Sequence, residues 1–243
     1  MDAEELLELY EEGERDFQGL DLENIDLSGT DLSGANLIDA NLVRADLSGT
    51  NLSGANLTDA NLVHADLSDA NLTDANLVHA DLSDANLRDA NLSGSDLSDA
   101  YLNDSKLVRA DLSSANLSDA DLSGTNLTDG NLSGADLSGA NLSGVDLSGV
   151  DLSGAKLNWV NLTGTIIDEE TKLDDKWYFV WQIVNRQFNS LKQERYYQLS
   201  LFNSFHHDNY VGRDLSNSCL INSDITGLNL TFSILYRADC TNT

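Results

Sequence analysis

Leucine stands at every fifth position from Leu22 to Leu162, twenty-nine in succession, and Phe17 and Ile167 extend the register by one unit at each end. A five-residue beat suits neither a 3.6-residue helix nor a strand whose side chains alternate every two residues. It suits a chain that turns a corner once per unit. Each unit then buries one large and one small side chain and exposes three. The small one sits two positions before the Leu and is mostly Ala, with Thr, Ser, Gly or Val at most other units. The residue just before the Leu is almost always Asp or Asn, and the last two positions are mostly polar or Gly.

The chain of 243 residues has no proline, where an ordinary chain carries roughly 5%. That absence fits a backbone in which nearly every N–H is needed in a hydrogen-bonded ladder.

The units "ANLTD", "ADLSD" and "ADLSG" match the consensus A(D/N)LXX, and the chain resembles the pentapeptide repeat family over about 150 residues. The resemblance implies an all-β solenoid, the right-handed quadrilateral parallel β-helix of that family. Four pentapeptides would make one coil of 20 residues. About eight coils would then give a rod of roughly 37 Å at the β-sheet spacing. Each inward Leu, among them Leu22, Leu27, Leu32, Leu62, Leu77, Leu92 and Leu162, is worth roughly 1.5–3 kcal/mol when fully buried.

The segments around the rod follow from where the beat stops. Residues 1–14 contain "DAEELLELYEE", an amphipathic helix with Leu6, Leu7, Leu9 and Tyr10 on its apolar side, expected to cap the first coil. Residues 15–167 are the solenoid. Residues 168–211 are an aromatic-rich insert, with helical spacing of Trp177, Val180, Trp181, Val184 and Phe188 and a second helical stretch near 190–205. Residues 212–243 resume the beat with Leu215, Leu220, Ile225, Leu230, Leu235 and Cys240 as centres. That run is too short to bury a core alone, so it must stack on the rod or on the insert. The Trp-rich segment followed by "GRDLSNS" also resembles cyanobacterial members of the family. Outward-facing Trp159 is an expected contact for the insert.

Charge narrows the function. Acidic residues outnumber basic ones 41 to 13, for a formal charge of −28. This opposes nucleic-acid binding and attraction to an anionic membrane, both of which need the opposite sign. Residues 1–15 lack the cationic start of a signal peptide, and no apolar run is long enough to span a bilayer. With only Cys219 and Cys240, a cytoplasmic setting is expected.

The chemical candidates are weak. The phrase "NLVHADLSDANLTDA" recurs fifteen residues later with Thr73 changed to Arg88. Fifteen residues are three units, so His64 and His79 fall on adjacent faces instead of one column. Each has at most acidic neighbours one coil away, where zinc wants three or four converging ligands. Asp26, Asp46 and Asp66 are expected to stack, as are the hydroxyls of Ser33, Ser53, Thr73, Ser93, Ser113, Ser133 and Ser153, which read as turn chemistry. No catalytic, metal or cofactor site is expected, and the chain reads as a non-enzyme.

Two functional classes remain. One is a rigid acidic rod serving as a structural or protein-interaction module, with Trp177, Trp181, Tyr196 and Tyr197 as a candidate partner surface, although packing of the insert's aromatic rings against the rod is the favoured reading of that cluster. The other comes from the resemblance: some members of the family imitate DNA and bind DNA gyrase. Residues 16–165 carry 24 acids and 5 bases. This is one net charge per roughly 2 Å of rod, close to the one per about 1.7 Å of duplex DNA. Summed by face, the outward charge is −4, −5, −4 and −6, so no face stands out. Neither the partner nor the oligomeric state is fixed by the sequence.

Overall fold

The computed structural model describes residues 1–185, 215–220 and 238–241. Asp16 bridges Asn36, Asn36 bridges Asn56, and Asn56 bridges Asn76, all parallel and all twenty residues apart. The same spacing repeats in all four columns, so four five-residue units make one coil and coils stack side on side. The chain is a β-helix solenoid, as the resemblance implies.

One unit shows why the sequence repeats as it does. Asn36 N–H donates to Arg15 O and Leu37 N–H to Asn56 O, both at 2.7 Å. Asp39 N–H donates to Thr58 O at 3.0 Å, and Ala40 N–H closes a turn onto Leu37 O at 3.1 Å. The remaining amide, Ile38 N–H, donates to the Asn36 side-chain oxygen at 3.3 Å. All five amides of the unit are therefore engaged, three between coils and two within the unit. A proline at any of the five would remove a bond, which accounts for the missing prolines. The Asp or Asn before each Leu is there because its side-chain oxygen accepts the one amide that the coils leave over.

The turn needs a left-handed residue at its third position. Every unit from Gly19 to Gly164 has positive φ two residues after its central Leu or Phe17, whether that residue is Gly or not. Asp supplies many of these corners, as at Asp39, Asp59 and Asp99, and His64 and His79 are two of them.

The interior is filled. Leu22, Leu27, Leu32, Leu62, Leu77, Leu92 and Leu162 are all buried, with the Ala residues of the small position packed between them. Where a hydroxyl replaces Ala it turns back onto the nearest Leu carbonyl, as Ser95 does to Leu92 and Thr125 to Leu122, both at 2.7 Å. A buried hydroxyl thereby avoids the cost of an unmade bond.

Helix α1, Ala3–Glu11, begins at Asp2, whose carboxylate accepts Glu5 N–H at 2.9 Å, and carries Glu4 and Glu5 in its first turn. Both features suit a helix N-terminus. Leu6 and Tyr10 enter the same buried cluster as Phe17, with Leu7 and Leu9 partly buried beside it. Tyr10 Oη donates to Ser33 O at 2.8 Å. Further along the rod the equivalent carbonyl, Ser53 O, accepts Gly34 N–H of the previous coil. The tyrosine hydroxyl fills the place of a coil that does not exist.

At the other end the register continues past Ile167 with a slip of one residue. Asp151 bridges Lys172, twenty-one residues on, and Leu173 packs partly buried against the core. The beat therefore runs one side further than the sequence suggests. Asp168 makes the slip feasible: its Oδ1 accepts Gly149 N–H at 3.0 Å and Thr171 N–H at 2.9 Å. Helix α2, Asp175–Val184, follows, and Trp177, Val180, Trp181 and Val184 are buried as their helical spacing implies. Phe188 and the stretch at 190–205 lie outside the described residues. Asn185, just beyond α2, accepts Gly164 N–H at 2.6 Å and donates to Leu162 O at 2.9 Å. Trp181 Nε1 donates to Thr165 O at 3.2 Å.

The second run keeps the rod's geometry where it is described. Leu215 and Leu220 are buried in the common core, and Cys219 bridges Asp239 in parallel, again twenty residues apart. Trp159 N–H donates to Asn217 O at 2.8 Å. The expected contact of Trp159 with the insert is thus, in the described residues, a backbone contact with the second run.

Candidate functional site

With the interior filled, the chemistry of the rod is the chemistry of its outer surface. Its acids are largely occupied with their own turns. Asp26 Oδ1 accepts Ser28 Oγ at 2.7 Å and Ser28 N–H at 3.0 Å, and the two bonds hold its carboxyl below the usual range. The expected stacking of Asp26, Asp46 and Asp66 is present. Asp46 and Asp66 bind Ser48 and Ser68 in the same way as Asp26 binds Ser28. Repulsion within the column is thus met by local donors. Elsewhere carboxamides interleave with carboxylates: Asn36 Nδ2 donates to Asp16 Oδ1 and Asn41 Nδ2 to Asp21 Oδ1, both at 2.8 Å.

The hydroxyl column reads the same way. Ser33, Ser53, Ser93, Ser113, Ser133 and Ser153 each give their amide to the Asp or Asn two residues earlier, and Thr73 gives amide and hydroxyl to Asn71. These groups serve the turns.

His64 Nδ1 lies 3.9 Å from Asp84 Oδ2, both side chains about half exposed. His64 and His79 share the left-handed corner conformation, in which His, Asn and Asp are over-represented. Among the described residues no three His, Cys, Asp or Glu side chains converge to hold a metal ion. Cys240 is half-buried, and burial, then the neighbouring Asp239, push its thiol pKa up.

Basic residues are placed beside acids one coil away. Arg109 grips Asp89 with Nε and a second guanidinium nitrogen, and Arg88 reaches the same carboxylate at 3.4 Å. Arg109 therefore holds Asp89 below the usual carboxylate range, and Asp89 raises Arg109 in turn. Lys156 pairs with Asp136 at 2.9 Å and Lys172 with Asp151 at 2.7 Å. Lys172, with Ser153, holds the Asp151 carboxyl at about 2.

Of the aromatic surface proposed from sequence, the two tryptophans are inside. Trp177 and Trp181 are 6% and 5% exposed and belong to the core cluster. Burying their rings against the last coil removes much apolar area from water, so they cannot also face a partner. Tyr196 and Tyr197 lie outside the described residues. What sequence reasoning missed is Tyr101, the most exposed aromatic described. The signal was available, because Tyr101 occupies a position that is Asp or Asn in nearly every other unit. Among the described residues no helix is long and apolar enough to cross a membrane.

Comparison with known proteins bears on the repeat. The family model described as pentapeptide repeats matches residues 16–54, 50–89, 90–129 and 131–167. No curated protein matches the chain. Among solved structures, HetL is 28% identical. It is a pentapeptide repeat protein involved in heterocyst differentiation regulation from the cyanobacterium Nostoc sp. strain PCC 7120. The match covers 98% of this chain and 94% of HetL, with a TM-score of 0.31. QnrB1, a plasmid-mediated fluoroquinolone resistance protein, is 25% identical over 64% of this chain and 86% of its own, with a TM-score of 0.42. Rfr23, a pentapeptide repeat protein from the cyanobacterium Cyanothece 51142, is 25% identical over 70% of this chain and 97% of its own, with a TM-score of 0.22. The superpositions are shallow, and the kinship rests on the repeat. Eight matched copies spread from residue 16 to residue 167, on a backbone whose coils repeat every twenty residues, make the chain a member of the pentapeptide repeat family.

Proposed function

We propose that this chain is a non-enzymatic, rigid acidic rod that acts as an interaction module for a protein partner. The observation that carries the reading is the closed interior. Among the described residues the leucines and alanines of the repeat are buried, and most amides of the repeat are spent on coil and turn. The outer faces are then the means by which such a chain acts on anything. In this reading α1 and α2 are end covers that protect the open edges of the rod from pairing with other chains. The setting is cytoplasmic, and the partner surface moves from Trp177 and Trp181 to the outer faces of the coils. The test is affinity capture on the immobilised full chain, with a proline-free helical protein of equal net charge as the control. A protein retained by the rod and not by the control supports the reading. Identical retention on both would sink it.

The second reading is imitation of DNA toward an enzyme such as gyrase. The density of one net charge per roughly 2 Å favours it, and the coil register keeps that density regular along the axis. The pairing of Arg88 and Arg109 on Asp89 interrupts one face. Supercoiling by purified gyrase with increasing protein separates the two readings. Inhibition at micromolar levels supports mimicry, and undisturbed supercoiling removes it.

A further inference from the structure

Two large aromatic side chains stand out from the rod where nothing in the repeat calls for them. Tyr101 is 54% exposed and Trp159 is 40% exposed. Tyr101 replaces the usual Asp or Asn, so its unit gives up the side-chain acceptor for the Asn103 amide and gains no burial in return. Trp159 sits in the left-handed corner position with φ 64°, a conformation in which a bulky residue is an outlier worth a functional question.

Both border the same edge of the rod, the corner between the face of Leu97 and the face of Leu102. Trp159 follows Asp99, Asp119 and Gly139 in the corner column. Tyr101 stands in the adjoining column, which runs Asp81, Tyr101, Asp121, Asn141, Asn161 through consecutive bridges. Three coils, about 14 Å, separate the two rings along the axis. Asp99, Asp119 and Asp121 line the interval. None of the three forms an ion pair with Lys or Arg among the described residues. The diagonally opposite corner, with Asp69, Asp89, Arg109 and Asp129, differs on both counts. It shows no exposed large aromatic, and Arg109 and Arg88 neutralise Asp89 there.

We propose that the Tyr101–Trp159 corner docks an extended basic segment of a protein partner. A guanidinium or ammonium group over each ring gains the attraction of its face. The carboxylates between them match further positive charge and discriminate against acidic chains. An extended peptide rises roughly 3.3 Å per residue, so about four residues bridge the two anchors. The proposal rests on the interaction-module reading and names the partner surface and its chemistry.

The test uses the full chain and a fluorescein-labelled eight-residue peptide of alternating Arg and Gly, followed by anisotropy at physiological salt. Tyr101→Asn and Trp159→Gly restore residues common at those positions of the repeat, so both variants keep the fold, which circular dichroism verifies. Each is expected to weaken peptide binding about three- to fivefold. The paired change Asp69→Asn, Asp129→Asn at the opposite corner is expected to alter it less than about twofold. A matching Glu and Gly peptide is expected not to bind. If the arginine peptide binds both aromatic variants as tightly as the parent, the acidic coat at large holds it and the corner site is overturned. Failure of the parent chain to bind that peptide also overturns it. Neither result touches the interaction-module reading, which stands or falls on the capture experiment with the full chain.

Discussion

The middle of the rod and its two ends solve one problem with different materials. In the middle, each coil hands its amides and carbonyls to the next, backbone to backbone, as Leu92 N–H does to Asp111 O at 2.7 Å. At the ends side chains take over some of these places. Tyr10 Oη occupies Ser33 O at the first coil. Asp168, Asn185 and Trp181 occupy Gly149 N–H, Gly164 N–H and Thr165 O at the last. Regularity is thus a property of stacking neighbours, and it gives way to side-chain contacts where the stacking changes. A substitution in the middle is felt by coils on both sides. One at an end is felt locally, because quasi-one-dimensional architectures add nearest-neighbour terms.

The largest effect is expected from Leu92→Asp. It places a carboxylate in a fully buried position with no partner, and such a charge is not tolerated without one. We expect loss of cooperative folding, seen as a collapsed β-signal in circular dichroism at neutral pH. A variant that melts like the parent would mean the coils do not depend on one another. At the ends the effect is smaller. Asn185→Ala removes an acceptor for Gly164 and a donor for Leu162 and is expected to cost about 1–3 kcal/mol. Tyr10→Phe removes one hydroxyl bond and is expected to cost about 1 kcal/mol. Denaturant midpoints would check both, and a cost as large as that of Leu92→Asp would erase the distinction between middle and end.

Acid sharpens the comparison further. A carboxylate whose folded pKa lies below its unfolded one stabilises the fold above the unfolded value and loses that contribution as pH falls. Lys172 and Ser153 hold Asp151 at about 2, against roughly 3.9 for an unperturbed Asp, so its contribution fades between about pH 4 and 2. Burial works to raise Asp168, but the amides of Gly149, Glu170 and Thr171 and the Thr171 hydroxyl bring it below the usual value. Both acids sit where the register slips. Hydrogen exchange at pH 7 and at pH 2.5 is therefore expected to show Gly149 and Lys172 losing protection at the lower pH while Leu82 keeps it. Equal loss at all three positions would make the slip no weaker than the middle.

Most of the middle was legible in the sequence because one physical rule repeats there. Leu every fifth position fixes the inward column, a small residue two before it fixes the packing, and the absence of proline reports the filled ladder. The role of the Asp or Asn before each Leu was not legible, since only the coordinates show Ile38 N–H turning to Asn36. Nor was the left-handed corner that admits His64, His79 and Trp159. The ends were readable as elements but not as contacts. The spacing of Trp177 and Trp181 announces a helix face that packs on the rod, yet it carries no mark of the bonds that Asn185 and Trp181 make to the rod backbone. Nothing in the beat foretells that the chain slips by one residue between Ile167 and Lys172. Tyr101 is legible as a departure from the Asp or Asn of the repeat, but its exposure on one edge with Trp159 emerges only from the stacking of coils.

The smallest effect is expected where the sequence looked most like a site. His64 and His79 have φ of 61° and 59°, the left-handed region in which glycine fits without strain. Replacing either with Gly exchanges a little corner strain for chain entropy, and the change in stability is expected to stay within about 0.5 kcal/mol. Val at the same place is the informative contrast. Its branched β-carbon collides with the backbone in that region, at a cost of roughly 1–2 kcal/mol. Thermal melts of His79→Gly and His79→Val separate the two interpretations of the duplicated phrase. If the imidazole serves only as a corner residue, Gly matches the parent and Val falls below it. If His79→Gly falls as far as His79→Val, the imidazole itself makes an interaction that the corner geometry does not explain, and the corner reading of both histidines fails.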